Sequence, residues 1–188
     1  MQDGKKRFKL YIFDADGTLR RTTVEGQPCP NRAGEWELIP GVRERLAEID
    51  WKRGEARFGV ASNQGGVGVG YFTFEAAYQL LYEMTEAAFG MRPPEGAIEI
   101  CPHAPSKGCA CRKPEPEMLV RLMRRFGASE SETLFVGDME RDAEAARRAG
   151  MSFMWAREFF DWRAGEPQQL VRGVELRTNS SRHRGKNG

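Results

Sequence analysis

The chain has 188 residues, of which 40% are hydrophobic, and this suits one domain that buries an ordinary core. It contains no run of about 18 apolar residues and no apolar signal core at the N-terminus, so we expect a cytoplasmic protein without a membrane span. The formal net charge of +2 is unevenly distributed, because five Lys/Arg and one acid lie from Arg172 onward and leave residues 1–171 at −2. We predict a folded domain at residues 1–171 and a basic, disordered tail at residues 172–188.

An apolar segment near the N-terminus ends in two carboxylates. Asp14 and Asp16 follow Tyr11-Ile12-Phe13, and Gly17 comes directly after them. Alternate residues of an extended strand share a face, so both acids can reach one pocket, and glycine permits a tight turn there. Mg²⁺ prefers such oxygen ligands and keeps positions open for phosphate. The segment predicts a buried strand that ends at a magnesium and phosphate site; the alternative is a strand that ends in a solvated acidic turn.

The next segment, residues 19–40, is rich in proline and glycine and has no sustained period, which predicts a loop or short flap. It is too short for a large cap domain, so we expect an open pocket. Arg20 and Arg21 lie near enough to the acid pair to contact a substrate, although arginines in loops are more often solvated. A helix is predicted at residues 42–51 from apolar residues at helical spacing.

A second strand, at residues 57–61, runs into Ser62-Asn63-Gln64 and a glycine-rich segment at residues 65–70. A hydroxyl at a strand end followed by glycines can present its oxygen and backbone N–H groups to a phosphate. The glycine spacing does not match the dinucleotide-binding pattern, because Tyr71 stands where a glycine is required. A helix at residues 74–89 follows, with one apolar stripe.

Three thiols and an imidazole follow a short third strand at residues 97–100. They are Cys101, His103, Cys109 and Cys111. Four such ligands form a closed tetrahedral zinc site, at about 2.3 Å to sulfur and 2.0 Å to nitrogen. A closed shell leaves no position for water, so we assign zinc a structural role in a loop that has no core of its own. The alternatives are four unrelated loop residues, or an iron–sulfur centre, which a histidine ligand disfavours.

The C-terminal half contains two further strands, at residues 133–136 and 152–155, separated and flanked by amphipathic helices. Asp138 follows an apolar strand as Asp14 does. If those two strands are parallel neighbours, both acids meet at one sheet edge and complete the magnesium site. Asp142 is expected to brace that site from behind the direct ligands. A last short helix is predicted at residues 158–162.

The motif Asp14-x-Asp16-Gly17-Thr18 after an apolar strand resembles the first motif of the haloacid dehalogenase-like phosphatases. The resemblance implies that Asp14 is the nucleophile and Asp16 the general acid/base. Ser-Asn-Gln with its glycines resembles the second motif, which implies that Ser62 holds the phosphoryl group and that Asn63 lies beside the substrate.

The cysteine and histidine loop makes the resemblance more specific within this family. Cys-x-His, followed by Cys-x-Cys and Arg-Lys-Pro, is similar to the loop of the histidinol-phosphate phosphatases and the D-glycero-D-manno-heptose 1,7-bisphosphate phosphatases. It implies that Lys113 stabilises the bound phosphoryl group and that Arg112 recognises substrate; cations there would offset a dianionic ester beside acids. Two departures concern substrate: Ala15 replaces the usual arginine, and residues 20–23 are Arg-Arg-Thr-Thr where the heptose enzymes have a His-Gly-Tyr-like loop.

These observations predict an α/β, doubly wound, mostly parallel sheet without a large cap domain. They predict a magnesium-dependent phosphomonoesterase that acts through an aspartyl-phosphate on a small phosphorylated metabolite. A polynucleotide 3′-phosphatase is the alternative, because the Trp36 region and Glu158-Phe159-Phe160 resemble that branch. A non-enzymatic, zinc-stabilised binding module is the most distant alternative.

Overall fold

The computed structural model describes residues 7–27 and 29–162, so the predicted tail at residues 172–188 lies outside the described residues. The strands, in chain order, are β1 (Leu10–Phe13), β2 (Arg20–Thr22), β3 (Trp36–Leu38), β4 (Arg57–Asn63), β5 (Ile98–Cys101), β6 (Thr133–Gly137) and β7 (Ser152–Trp155). The α-helices are α1 (Val42–Ala47), α2 (Gly65–Val69), α3 (Phe74–Phe89), α4 (Glu117–Phe126), α5 (Glu140–Ala149) and α6 (Ala156–Phe159).

Five of these strands form one parallel sheet in the order β5-β4-β1-β6-β7. β1 lies at the centre, and Phe13 pairs in register with Val60 of β4 on one side and Val136 of β6 on the other. All four residues of β1 are buried, as expected for a parallel strand covered by helices on both faces. The predicted doubly wound parallel sheet is confirmed, and the strand order changes direction at β1, where such folds place their ligands.

The two faces of the sheet carry separate hydrophobic cores. Because side chains alternate along a strand, Tyr11 and Phe13 enter one core, while Leu10 and Ile12 enter the other. The first core includes residues of α1, α3 and α6, and its aromatic rings make close contacts, such as the stacked pair Phe58 and Phe89 at 3.8 Å. The second core is formed with α4 and α5. The sheet is therefore held from both sides, and its carboxyl edge is left for polar residues.

Three predicted elements differ from the structure. The segment at residues 19–40 contains an antiparallel hairpin, β2–β3, rather than only a loop. The glycine-rich segment forms the short helix α2, which glycine disfavours by itself and which packing must therefore stabilise. The last helix is α6, which begins two residues before the predicted one. No helix in the described part of the chain is long and apolar enough to cross a membrane.

Candidate active site

Three carboxylates meet at the carboxyl edge of the sheet. Asp14 follows β1, Asp138 follows β6 and Asp142 lies in the first turn of α5. Because β1 and β6 are parallel neighbours, their carboxyl ends coincide, and one oxygen from each acid lies within 4.8 Å of the others. Gly17 makes this approach possible: its φ is +87°, and a Cβ there would lie 2.3 Å from Asp138 Oδ2. The predicted meeting of Asp14 with Asp138 is present, and Asp142 is in the same group.

Lys113 is the cation of this cluster. Its Nζ lies 2.5 Å from Asp14 Oδ1 and 2.8 Å from Asp142 Oδ1, and its side chain is buried. Burial would lower the pKa of Lys113, but Asp14 and Asp142 raise it above its usual value. The ammonium group therefore stays charged between two acids. One lysine cannot neutralise three carboxylates, so the cluster keeps unbalanced negative charge.

The pKa values of Asp14 and Asp138 are raised in this cluster. Burial raises the pKa of Asp14 to about 8, with Lys113 opposing the shift and the other two acids adding to it. Burial also raises the pKa of Asp138 to about 6, and the charge of Asp142 adds to the rise. Ionised carboxylates that are buried together repel one another, and a bound cation would relieve this repulsion. The donor set, three carboxylates without sulfur or imidazole, is the one that Mg²⁺ prefers.

Asp16 does not belong to the three-acid cluster. Its carboxylate accepts hydrogen bonds from Arg20 Nε at 2.8 Å and from Gln64 Nε2 at 2.9 Å. The Asp16 side chain is thus outside the group of acids that lie within reach of one ion, and its expected use as a magnesium ligand stays a prediction. Arg20 differs from expectation: it is fully buried and bonded to Asp16, so a guanidinium predicted to contact substrate is instead part of the protein interior.

Ser62 lies at the carboxyl end of β4 and is buried, with its Oγ accepting a hydrogen bond from Gln64 Nε2 at 2.8 Å. The strand next to β4 is β1, so Ser62 occupies the same edge as the acids. Arg21, in contrast, lies in the hairpin and donates from Nε to Glu37 Oε1 at 2.6 Å. Its surface ion pair is with β3, and nothing in this placement directs it to the acids.

The side chain of Asn63 contacts the backbone of Lys113. Its Nδ2 donates to the Lys113 carbonyl at 3.1 Å, and its Oδ1 accepts from the Lys113 N–H at 3.0 Å. Both polar ends of the amide are therefore bonded to one residue. These bonds hold the backbone of Lys113, and the expected contact between Asn63 and substrate stays a prediction.

The cysteine and histidine side chains converge as predicted. Cys101 Sγ lies 3.6 Å from Cys109 Sγ and 3.7 Å from His103 Nδ1, and Cys111 Sγ lies 3.6 Å from Cys109 Sγ and 3.2 Å from His103 Nδ1. These separations are too long for disulfides. A regular tetrahedron with zinc–sulfur bonds of about 2.3 Å has sulfur–sulfur edges of about 3.8 Å, close to the observed values. The four atoms fit one tetrahedral metal ion.

The cysteine loop packs against α2. A Cβ on Gly68 would lie 2.5 Å from the Ala104 nitrogen, so the glycine allows α2 and the loop to touch through their backbones. Arg112 Nη1 donates to the His103 carbonyl at 3.1 Å, and the Gln64 N–H donates to the Cys101 carbonyl at 2.8 Å. The loop that precedes Lys113 is thereby attached to the segment that follows Ser62.

Two residues of the site had no assigned role in the sequence analysis. Gln64 bridges Asp16 and Ser62, and Thr18 Oγ1 donates to Asp138 Oδ1 at 3.3 Å. Thr18 belongs to the motif that begins at Asp14, and Gln64 belongs to the motif that begins at Ser62. For Gln64 the signal was its position two residues after Ser62, because alternate residues of an extended segment share a face.

Comparisons with known proteins bear on the family of this chain. A HAD-hydrolase-like family profile matches residues 110–158. The D-glycero-beta-D-manno-heptose-1,7-bisphosphate 7-phosphatase of Bordetella bronchiseptica is 34% identical over 145 residues, which are 76% of each chain. The enzyme of that name from Pseudomonas aeruginosa is 35% identical over 73% of this chain and 75% of its own.

A solved structure leads to the same family. It is the D,D-heptose 1,7-bisphosphate phosphatase from B. bronchiseptica, complexed with magnesium and phosphate, with 30% identity and a TM-score of 0.67. The match covers 85% of this chain and 89% of that one. The fold and the acidic edge define a hydrolase of the HAD-like class. The chain belongs to the haloacid dehalogenase-like phosphatases, and within them it is similar to the heptose bisphosphate phosphatases.

The two hydrogen bonds between Asn63 and Lys113 generate a prediction. Asn63→Leu keeps a similar volume but removes both bonds, so Lys113 should lose its fixed position. Since a misplacement of about 1 Å in a site can cost about 10²-fold, we expect kcat/KM for a phosphate ester to fall about 10- to 100-fold. Steady-state kinetics with Gln79→Leu as the control, an exposed amide bonded to Glu83, would check this. An unchanged kcat/KM in Asn63→Leu would contradict the assigned role.

Proposed function

We propose that the chain is a magnesium-dependent phosphatase that hydrolyses the phosphate monoester of a small, sugar-like metabolite through an aspartyl-phosphate at Asp14. The observation that carries the proposal is the pairing of Asp14 with Lys113 inside a buried acidic cluster at the carboxyl edge of the sheet. A nucleophilic carboxylate needs nearby positive charge to approach a dianionic phosphate. The cluster provides a carboxylate, a fixed ammonium group and a cation site within one small volume.

In this proposal, Asp14 attacks the phosphorus atom. Lys113 Nζ binds Oδ1 of Asp14, which leaves Oδ2 for the attack. The bond between phosphorus and the ester oxygen breaks as the new bond forms, and Asp16 gives a proton to the departing oxygen. Water then attacks the phosphoryl group, Asp16 takes a proton from that water, and inorganic phosphate leaves with Asp14 restored. Ser62 Oγ and Lys113 Nζ hold the phosphoryl oxygens during both steps.

The three-acid cluster is suited to Mg²⁺. Asp14 and Asp138 would hold the ion through carboxylate oxygens, and Asp142, which is bonded to the Met139 N–H at 3.0 Å and paired with Lys113, would support them. When bound, the ion supplies positive charge that neutralises phosphate oxygens. Burial and the charges of neighbouring acids raise the pKa of Asp14 and of Asp138. A bound cation would favour the ionised form of both acids.

These pKa shifts predict how magnesium stabilises the fold. A carboxyl group whose pKa is higher in the folded than in the unfolded chain favours folding in its protonated form, so the metal-free protein should lose stability as pH rises from about 4 to 8. Magnesium requires the ionised acids, so its stabilisation should grow over pH 6 to 8. At about 100 times its Kd, the ion should raise Tm by roughly 5–10 °C at pH 8 and much less at pH 6.

Calorimetry of the zinc-loaded protein with and without MgCl₂ at the two pH values measures this difference. Asp14→Asn serves as the comparison, because an amide does not titrate and should remove most of the pH dependence. An equal Tm shift at pH 6 and pH 8, or no shift at either, would show that the acids do not form the magnesium site.

The second metal of the proposal is a structural zinc ion bound by Cys101, His103, Cys109 and Cys111. The near-tetrahedral spacing of their donor atoms supports this assignment. The loop they form has little regular structure beyond one short 3₁₀ turn, so a metal would replace a hydrophobic core in stabilising it. Because Lys113 and Arg112 come directly after Cys111, zinc would also fix the residues that bind phosphate.

Elemental analysis tests the zinc site. Protein purified without chelators should contain about one zinc per chain, and Cys109→Ser should lose it and lose activity through displacement of Lys113. Cys29→Ser is the matched control, since Cys29 lies outside the four-residue cluster and its removal should leave the zinc content unchanged. A Cys109→Ser protein that kept a full equivalent of zinc would refute this ligand set.

The proposed substrate is small because few cations are available to hold a long polyanion. Arg20 is buried against Asp16, and Arg21 is paired with Glu37, which leaves Arg112 as the predicted substrate-binding arginine beside the cysteine loop. Residues 1–171 carry a net charge of −2, whereas affinity for nucleic acid comes mainly from Lys and Arg. The name of the Bordetella relative supports a sugar phosphate as the substrate class.

One observation favours the alternative, a polynucleotide 3′-phosphatase. Tyr71, Phe74 and Tyr78 are exposed aromatic residues on the chain that follows Ser62, and exposed rings can stack on bases. Tyr71 lies between α2 and α3, and Phe74 and Tyr78 lie in α3. The described part of the chain contains no large cap domain.

A substrate comparison tests the proposed function. The protein with zinc and MgCl₂ should give its highest kcat/KM with a sugar phosphate when sugar mono- and bisphosphates, histidinol phosphate and a 3′-phosphorylated oligonucleotide are compared. Asp14→Asn should lower turnover by about 10³-fold or more, because an amide is a poor nucleophile, whereas Asp50→Asn on the exposed surface should not. If the oligonucleotide is by far the best substrate and its turnover falls steeply with salt, the nucleic-acid alternative is correct.

A further inference from the structure

Arg20 is a charged side chain that is completely buried. Its guanidinium donates from Nε to Asp16 Oδ1 at 2.8 Å, from Nη2 to Asp16 Oδ2 at 3.5 Å, and from Nη1 to the Leu80 carbonyl at 3.3 Å. Each of its three nitrogen atoms thus has an acceptor. The third bond crosses to α3, which joins the hairpin to the helix that follows the glycine-rich segment.

A buried ion pair is a weak source of folding stability. Removing a guanidinium from water has a large desolvation cost, and an apolar side chain of similar volume is often as stabilising or more so. Arg20 is nevertheless fully buried. Packing alone does not explain an arginine at this position. Its contact with Asp16 offers another explanation.

The backbone holds Arg20 against Asp16. The Gly17 N–H donates to the Arg20 carbonyl at 2.8 Å, and the Arg20 N–H donates to the Ala15 carbonyl at 3.0 Å. Arg20 also begins β2, where it pairs with Leu38. These contacts fold the chain after Asp16 back on itself and fix the direction in which the guanidinium points.

Gln64, which lies between β4 and α2, holds Asp16 from a second direction. Its Nε2 has two hydrogens, and it donates one to Asp16 Oδ2 at 2.9 Å and one to Ser62 Oγ at 2.8 Å. Both oxygens of Asp16 are therefore bound from the protein side, while the side chain remains 19% exposed. The carboxylate is therefore held in one orientation, and part of it remains accessible from outside.

We infer that Arg20 is a positioning residue for proton transfer, holding Asp16 so that its accessible part faces the leaving group. The inference rests on the proposed function. In the first step, a proton passes from Asp16 to the ester oxygen as the oxygen–phosphorus bond breaks, and Asp16 becomes an anion. The planar, two-point contact of Arg20 keeps the carboxylate in place during this transfer.

This role predicts a dependence on the leaving group. An alkoxide needs a proton as it departs, whereas p-nitrophenolate leaves well without one. Loss of Arg20 should therefore slow the reaction of an alkyl phosphate much more than that of p-nitrophenyl phosphate. A residue needed only for folding would affect both substrates to the same extent, because it would change the amount of active enzyme.

The experiment compares kcat/KM for p-nitrophenyl phosphate and a sugar phosphate in the wild type, Arg20→Gln and Arg20→Lys, all loaded with zinc and magnesium. This quantity reports the steps up to loss of the leaving group. For Arg20→Gln we expect a loss of about 10²-fold with the sugar phosphate and of only a few-fold with p-nitrophenyl phosphate. Arg20→Lys keeps the charge but not the two-point contact, so it should show a smaller selective loss.

Leu80→Ala is the matched control, because it removes a buried side chain but keeps the backbone carbonyl that Arg20 contacts. It should lower Tm and leave the ratio of the two kcat/KM values unchanged. If Arg20→Gln does not fold, the ratio in Arg20→Lys decides. Equal losses on both substrates would overturn the positioning role, whereas a wild type that hydrolyses neither ester would refute the proposed function itself.

Discussion

The repulsion among buried carboxylates at one sheet edge is the constraint on which the site depends. Parallel pairing of β1 with β6 brings Asp14 and Asp138 together, and the first turn of α5 adds Asp142. The sheet is held by apolar cores on both faces, so it can position acids that would otherwise separate. The ammonium group of Lys113 neutralises part of this negative charge. The remaining repulsion would be relieved by a divalent cation.

Lys113 in turn depends on structure outside the sheet. It follows the cysteine loop, and its backbone is bonded to the side chain of Asn63 at the end of β4. The loop touches α2 through Gly68, where a side chain would not fit. Two segments that are 50 residues apart are thereby joined beside the acidic edge. This contact explains how the proposed zinc ion could affect activity without touching the substrate.

Asp16 illustrates how neighbouring acids acquire different surroundings. It is only two residues from Asp14, yet its carboxylate faces Arg20 and Gln64, while that of Asp14 faces Lys113. Asp14 thus lies among acids in a buried cluster, and Asp16 lies beside a buried cation. Separate environments of this kind allow one carboxylate to act as a nucleophile and the other to transfer protons.

The sequence alone determined the parallel α/β fold, the family and the convergence of the cysteine loop, because apolar strands, acids at strand ends and closely spaced ligands are local patterns. It also indicated that Asp14 and Asp138 would meet, provided that their strands were neighbours. Only the tertiary structure decided that Arg20 is buried against Asp16, that Asn63 holds Lys113 and that residues 19–40 contain a hairpin. The physical reason is that local patterns specify which groups are present, whereas the direction of a polar side chain depends on partners that are distant in sequence, such as Leu80 for Arg20 and Lys113 for Asn63.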